Sequence, residues 1–184
     1  MIIERVGPCL LTPRDPTFET LARSITFQQL HGKAALTIFT RLQKAVGRRF
    51  TPARLLQLTP EQMRECGLSR QKISSLTDLA ERVLRKEIRF RNIQQLDDEA
   101  IVLMLSQARG VGVWTAQMFL MFALQRPNVL PLGDLGIRNA VRKAYGLEAV
   151  PDAAELTHIA QRWHPYCTTA CWYLWRSLEG AAEL

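Results

Sequence analysis

The sequence predicts an all-α fold, and three observations carry that expectation. Apolar residues recur at helical spacing, as in Phe18, Leu21, Ala22 and Ile25. Short polar residues stand before Pro at the head of such runs: Asp15-Pro16, Thr51-Pro52 and Thr59-Pro60. Such pairs open helices, because the polar side chain caps and Pro is tolerated where no N–H is needed. No stretch alternates apolar and polar residues convincingly enough for a strand. The 184 residues, 47% hydrophobic, can bury a sizeable core as one compact domain or as two small lobes.

Taken in order, residues 1–14 read as irregular, with Pro8 and Pro13. Asp15 caps the first helix. Gln28-Gln29-Leu30-His31-Gly32 interrupts the helical pattern. A helix from Lys33 turns Leu36, Phe39 and Leu42 inward and ends near Gly47. Thr51-Pro52 and Thr59-Pro60 open two more, the latter ended by Gly67. Ser69 caps a longer helix with Ile73, Leu76, Leu79, Ala80 and Val83 on its apolar face. Asp97-Asp98-Glu99 opens a helix through Leu103, its acids favoured by the helix dipole. Val113 to Leu124 is free of Gly and Pro and forms the next. Ile137, Val141, Ala144 and Tyr145 mark a helix stopped at Gly146. Pro151-Asp152 begins another, with Leu156, Ile159, Ala160 and Trp163. Pro165 leads into the last, with Trp172, Tyr173, Leu174 and Trp175.

Lys and Arg number 24 against 17 Asp and Glu, a net charge of +7 that favours a polyanionic partner. Glu4, Arg5 and Pro8 interrupt the N-terminus, so no signal peptide is expected. The apolar runs are too short to span a bilayer, and a cytoplasmic location with no membrane partner is expected. Cys167 and Cys171 lie four apart on one helix. No nearby Cys or His pair completes a metal site, and no four-Cys run holds an iron–sulfur cluster. The four cysteines read as buried apolar residues.

Arg109-Gly110-Val111-Gly112 forms a tight turn between apolar segments. Gly110 and Gly112 allow positive φ and leave backbone uncovered. A Gly-x-Gly turn opening a helix aims N–H groups at one point, which makes an anion site. Beyond the helix, Pro131 and Gly133 break the chain, and Asp134 stands at the head of another helical run. By position alone, Asp134 fits a helix cap.

Four ordered stretches carry a family resemblance. Arg109-Gly-Val-Gly-Val-Trp-Thr-Ala resembles the hairpin of the helix-hairpin-helix base-excision DNA glycosylases. Leu132-Gly-Asp-Leu-Gly-Ile-Arg resembles their loop bearing an invariant catalytic aspartate. Arg23-Ser-Ile-Thr-Phe-Gln-Gln-Leu agrees as well, as does Arg162-Trp-His-Pro-Tyr followed by Trp172-Tyr-Leu-Trp. The resemblance covers about residues 15–180 and is nearest to the 3-methyladenine DNA glycosylase II family. It implies one domain over residues 1–184, built of two helical lobes with an active-site cleft between them. The chain is too short for the extra N-terminal β-domain of some members. Arg109 stands where the hairpin usually has Pro, and Phe27 where Gly or Ser usually precedes the Gln-Gln pair.

The resemblance also implies roles. Asp134 is the catalytic carboxylate, stabilising the oxocarbenium-like sugar and orienting water. Trp114 stands where strand-cutting relatives carry the Schiff-base Lys; Trp has no amine, so that lyase route is closed. Lys33 and Lys143 lie outside the motif. Trp114, Met118 and Trp175 line the base pocket. An aromatic face attracts a cationic alkylated purine, and Met118, where some members have another aromatic, alters the choice of base. Trp163, Trp172 and Tyr173 read as core. Gln29 and Leu30 are placed to fill the gap left by an extruded base, with core packing an equal alternative for Leu30. His31, His158 and His164 receive no chemistry. The N–H groups of Gly110, Gly112 and Trp114 hold one DNA phosphate, with Arg109, Arg138, Arg142 and Lys143 nearby. Carbonyls of Ser106, Ala108 and Val111 hold a structural Na+ or K+; the chemistry requires no cofactor. The expected function is a monomeric, monofunctional glycosylase that excises 3-methyladenine-type purines from double-stranded DNA. A glycosylase for uracil or a mismatched base, and a non-catalytic DNA-binding module, stay open as alternatives. Asp134 together with the aromatic pocket favours an enzyme.

Overall fold

A computed structural model describes residues 2–30 and 32–178; His31 lies outside the described residues. Helices and loops make up this part of the chain, with no strand among the described residues. No described helix is long and apolar enough to cross a membrane. The chain divides into two compact units, Arg14–Phe119 and Met1–Pro13 with Leu120–Leu184.

The Arg14–Phe119 unit holds α2 (Phe18–Phe27), α3 (Gly32–Val46), α4 (Pro52–Leu55), α5 (Pro60–Glu65), α6 (Arg70–Leu84) and α7 (Asp98–Leu105). Helix α6 is the scaffold on which α2, α4 and α5 pack. Leu76, Leu79 and Ala80 are fully buried on its inner face, with Ile73 nearly so, while Val83 is only half-buried. Phe39 lies between Phe27 and Phe50, with ring centroids 6.5 and 5.6 Å away. Such aromatic pairs add stability beyond their buried area.

The caps follow the expected chemistry at most starts. Thr51, Thr59, Ser69 and Asp97 each accept a backbone N–H three residues on, and Thr59 with Gln62 completes a capping box. The first start differs: Thr17, not Asp15, caps α2, accepting the Thr20 N–H at 3.3 Å. The Asp15 carbonyl takes the Thr17 N–H and the Thr20 hydroxyl, so Asp15-Pro16 forms the turn before the helix. In α3 the buried stripe is Ala35, Phe39, Leu42 and Val46. Leu36 sits one residue off that stripe and is 53% exposed, contrary to the expected inward face.

The second unit holds α1 (Ile2–Val6), the end of α8 (Val113–Phe122), α9 (Leu135–Tyr145), α10 (Ala153–Ala160) and α11 (Cys167–Leu178). Helix α11 is its centre, packing on α9 and on α1. Helix α1 lies where irregular chain was expected, and its Arg5 donates to the Ser177 carbonyl. Helix α8 stops two residues before Leu124: the Arg126 N–H closes back on the Leu120 carbonyl, with Gln125 at φ +53°. Ile137, Ala140 and Val141 are buried on α9, but Ala144 and Tyr145 are exposed. Ala144 lines an open groove with Arg5 and Lys143, so the buried stripe ends a turn early. Cys167, Cys171 and Trp172 are buried and Tyr173 half-buried, in line with the core reading; Trp163 is half-buried in a 3-10 turn, and Cys9, unlike the other three cysteines, is exposed, against the expectation that all four are buried.

Candidate active site

Helix α7 ends at Leu105, and the chain enters the hairpin through Ser106-Gln107-Ala108. The Val111 N–H closes the turn on the Ala108 carbonyl at 3.0 Å, and the Ala116 N–H makes the first bond of α8 to the Gly112 carbonyl. Gly110 has φ +76°, whereas Gly112 has an ordinary φ, so one of the two glycines is needed for its backbone conformation. Gly110 is constrained from both directions: a Cβ there would meet Ser75 Oγ at 2.6 Å. A Cβ on Gly112 would meet nothing within 4 Å. Gly112 is instead the open face of the turn, beside exposed Val113 and Trp114.

Helix α6 braces the hairpin. Asp78 Oδ2 accepts the Arg109 backbone N–H at 2.7 Å and Arg82 Nε at 3.0 Å. Burial works to raise the Asp78 pKa, but these bonds and the charges of Arg82 and Arg85 hold the carboxyl below its usual range. Arg109 itself donates to Ser74 Oγ at 2.9 Å, so one arm of its guanidinium serves the fold. Gln28 Nε2 donates to the Gly110 carbonyl at 2.8 Å and to Thr115 Oγ1 at 3.2 Å.

Gln28 begins the turn that carries Gln29 and Leu30. Gln28 has φ −53° and ψ 133°, and Gln29 has φ +56°. The Leu30 N–H closes on the Phe27 carbonyl at 3.3 Å. These are the marks of a type II turn, with Gln where Gly is favoured. A left-handed non-glycine residue costs about 1 kcal/mol or more and persists only where its surroundings impose it. Leu30 is 39% exposed, which removes the core alternative for it.

On the same unit, α8 presents Trp114, 46% exposed, and Met118, half-buried. Trp114 stands one residue into α8, next to exposed Val113 and buried Thr115.

In the second unit, α11 fixes the loop that leads to Asp134. Thr168 Oγ1 donates to the Arg126 carbonyl and accepts the Val129 N–H at 3.1 Å, while its own N–H donates to the Pro127 carbonyl. The Asp134 N–H closes on the Pro131 carbonyl at 2.9 Å. Asp134 then caps α9, with Oδ1 accepting the Ile137 N–H at 2.8 Å. The same oxygen accepts Trp175 Nε1–H at 3.1 Å. Asp134 is 8% exposed, so its carboxylate is fixed in orientation and shielded from bulk water.

Trp175 also stacks on Phe122, with centroids 6.0 Å apart and planes at 27°. Gly136 lets the indole come this close: a Cβ there would meet Asp134 Oδ1 at 3.0 Å and Trp175 Cδ1 at 3.3 Å. Burial, then the charges of Cys167 and Asp134, push the Cys171 thiol up, so it is not a nucleophile at neutral pH. Arg138 donates from Nε to the Pro151 carbonyl at 2.7 Å, which ties it to the fold as well as to the surface.

The structure thus brings Asp134 and Trp175 together in one unit. It places Gln29, Leu30, Arg109, Gly110, Gly112, Trp114 and Met118 in the other. Four residues of these surroundings were not singled out from the sequence: Gln28, Asp78, Gly136 and Thr168. Gly136 lay within a motif, next but one to Asp134. The partners of the others are distant in sequence. The hairpin fits a monovalent cation: Ser106, Ala108 and Val111 follow the partial negative charge at the end of α7. Ser106 Oγ is buried without a hydrogen-bond partner. The Ala108 carbonyl, bonded to Val111, keeps a second lone pair.

Residues 22–165 match the model of the HhH-GPD superfamily base excision DNA repair proteins. Among curated relatives, DNA-3-methyladenine glycosylase 1 of Schizosaccharomyces pombe is 36% identical over 163 residues, covering 87% of this chain and 72% of that protein. The alkylbase DNA glycosidase-like protein mag2 of the same organism is 32% identical, covering 95% of this chain and 85% of that protein. Among solved structures, the S. pombe 3-methyladenine DNA glycosylase in complex with abasic DNA superposes with a TM-score of 0.84 at 34% identity, covering 100% of this chain and 92% of that one. A DNA-3-methyladenine glycosidase from Bacillus halodurans gives 0.85 at 34%, covering 99% and 84%.

Proposed function

The chain belongs to the HhH-GPD superfamily of base excision DNA repair proteins, and from that membership and the setting of Asp134 we propose how it acts. It is a DNA glycosylase that hydrolyses the N-glycosidic bond of alkylated purines of the 3-methyladenine type and leaves an abasic site. The observation that carries the mechanism is the buried Asp134 carboxylate, oriented through one oxygen by the Ile137 N–H and the Trp175 indole. As the base departs, positive charge develops on the sugar. A fixed carboxylate in a site of low dielectric stabilises that charge without reorganising. It also orients the attacking water and takes its proton.

The substrate is double-stranded DNA with the damaged base turned out of the stack. Exposed Trp114 and half-buried Trp175 offer π faces to that base, and a cationic alkylpurine binds such faces more strongly than a neutral base does. Met118 shapes the same selection. Exposed Gln29 and Leu30 are the candidates to fill the gap. The hairpin N–H groups at Gly110, Gly112 and Trp114 take a phosphate, with Arg109, Arg138, Arg142 and Lys143 adding positive charge. A Na+ or K+ held by the carbonyls of Ser106, Ala108 and Val111 would brace the hairpin and supply no chemistry. Trp114 replaces the amine that a Schiff base requires, so the enzyme releases the base without cutting the strand.

A panel of duplexes, each with one modified base, tests the reading. Base release is expected from alkylated purines and not from undamaged DNA. Release confined to uracil or mismatches would overturn the substrate class, and binding without release from any duplex would overturn the activity.

A further inference from the structure

We infer that Gln28 is a positioning residue that clamps the gap-filling turn to the phosphate-binding hairpin, so that extrusion of the base depends on its amide. The inference rests on the proposed function of the two turns. The observation behind it is one side chain joining two segments far apart in sequence. Gln28 Nε2 donates both its hydrogens across to the hairpin, one to the Gly110 carbonyl at 2.8 Å and one to Thr115 Oγ1 at 3.2 Å. Thr115 is buried on α8, next to Trp114. The Gly110 carbonyl belongs to the residue with φ +76°, where Ser75 lies close enough to leave no room for a Cβ.

The clamp thus ties the turn to one buried helical residue and to one backbone carbonyl of the hairpin. Gln28 is the first of the two central residues of the turn, and Gln29 is the second, at φ +56°. A side chain bonded elsewhere at the first position restrains the strained second position. Behind the turn, Lys72 Nζ donates to the Thr26 carbonyl at 2.7 Å, holding the last turn of α2. The exposed tips of Gln29 and Leu30 are thus presented on a pinned frame. The hairpin grips the backbone and the turn enters the stack, so their fixed separation sets how far the duplex is opened around the lesion.

Gln28→Ala removes both bonds, and Gln28→Glu keeps the shape but puts a carboxylate against the Gly110 carbonyl. Two lost side-chain bonds correspond to a fall of about tenfold in single-turnover excision from a fully paired lesion. Thermal unfolding is expected to fall slightly in both variants, by the same amount whichever substrate is assayed, and undamaged-duplex affinity to stay close to the parent's. The deciding arm is the same lesion in an unpaired bulge, where little work of extrusion remains. There, both variants are expected to excise at close to the parental rate. Thr115→Val should show a smaller defect of the same kind and add little to Gln28→Ala. Equal defects on paired and bulged substrates would overturn the inference, as would parental rates on both. A parent that releases no base from either substrate would overturn the functional reading itself.

Discussion

Asp134→Asn separates the two tasks of one side chain. Oδ1 accepts the Ile137 N–H at 2.8 Å and Trp175 Nε1–H at 3.1 Å. Asn keeps a carbonyl oxygen for both donors and is as good an N-cap as Asp, so the fold should lose well under about 1 kcal/mol. The negative charge is gone. A unit charge about 4 Å from a developing cation, at an effective dielectric of about 20, contributes about 4 kcal/mol. Most of that difference should appear in the barrier, a loss on the order of a thousandfold in rate. Asp134→Ala should show the same catalytic loss and also about 1 kcal/mol of lost capping. Single-turnover excision measures the first effect and urea unfolding the second. Parental excision by the Asn variant would refute the catalytic role. Equal destabilisation by Asn and Ala would refute the account of the cap.

Other predictions concern the hairpin, its brace and the reaction type. Gly112→Asp adds a negative charge in open space where a phosphate approaches, so it should abolish binding to every duplex with helical content by circular dichroism unchanged. Gly110→Ala meets Ser75 and a positive φ, so it should instead lower thermal stability, by at least about 1 kcal/mol. Product DNA should stay unbroken until alkali is added, and borohydride should trap no protein–DNA adduct during turnover; a trapped adduct would exclude the monofunctional reaction. Asp78→Asn should cost about 1 kcal/mol at neutral pH by weakening the bonds to Arg109 and Arg82. The folded-state pKa of Asp78 lies below its unfolded value, so this contribution is complete above about pH 5. It should vanish as pH falls through about 4 towards the folded pKa, where parent and variant unfolding curves converge.

Local chemistry made much of the fold legible. Thr59 followed by Pro60 and Gln62 is a complete helix start within four residues, and the structure contains it as a capping box. Asp97 and Ser69 are of the same kind. Pattern and structure part where neighbouring residues can do the same job. Thr17 and Asp15 are both good caps, and the structure uses the second polar residue while Asp15 shapes the approach. Leu36 and Ala35 differ by one position on α3, and the smaller residue faces the core. The site divides in the same way. Asp134 was legible because a motif and a helix start coincide there. Its bond to Trp175 joins residues 41 apart, and no periodic signal reports such a partnership. Gln28 and Gly110 are 82 apart. The two glycines of the hairpin look alike in sequence, yet one is required by backbone and packing and the other offers open space.

The central claim is enzymatic release of an alkylated purine, and the direct measurement is mass spectrometry of free bases released from methylated duplex DNA. The parent chain is expected to release 3-methyladenine-type bases with time and in proportion to enzyme, leaving intact strands with abasic sites. Asp134→Asn is expected to bind the same DNA and release almost none. Retained DNA binding with no free base from the parent, or release undiminished in Asp134→Asn, would contradict the account.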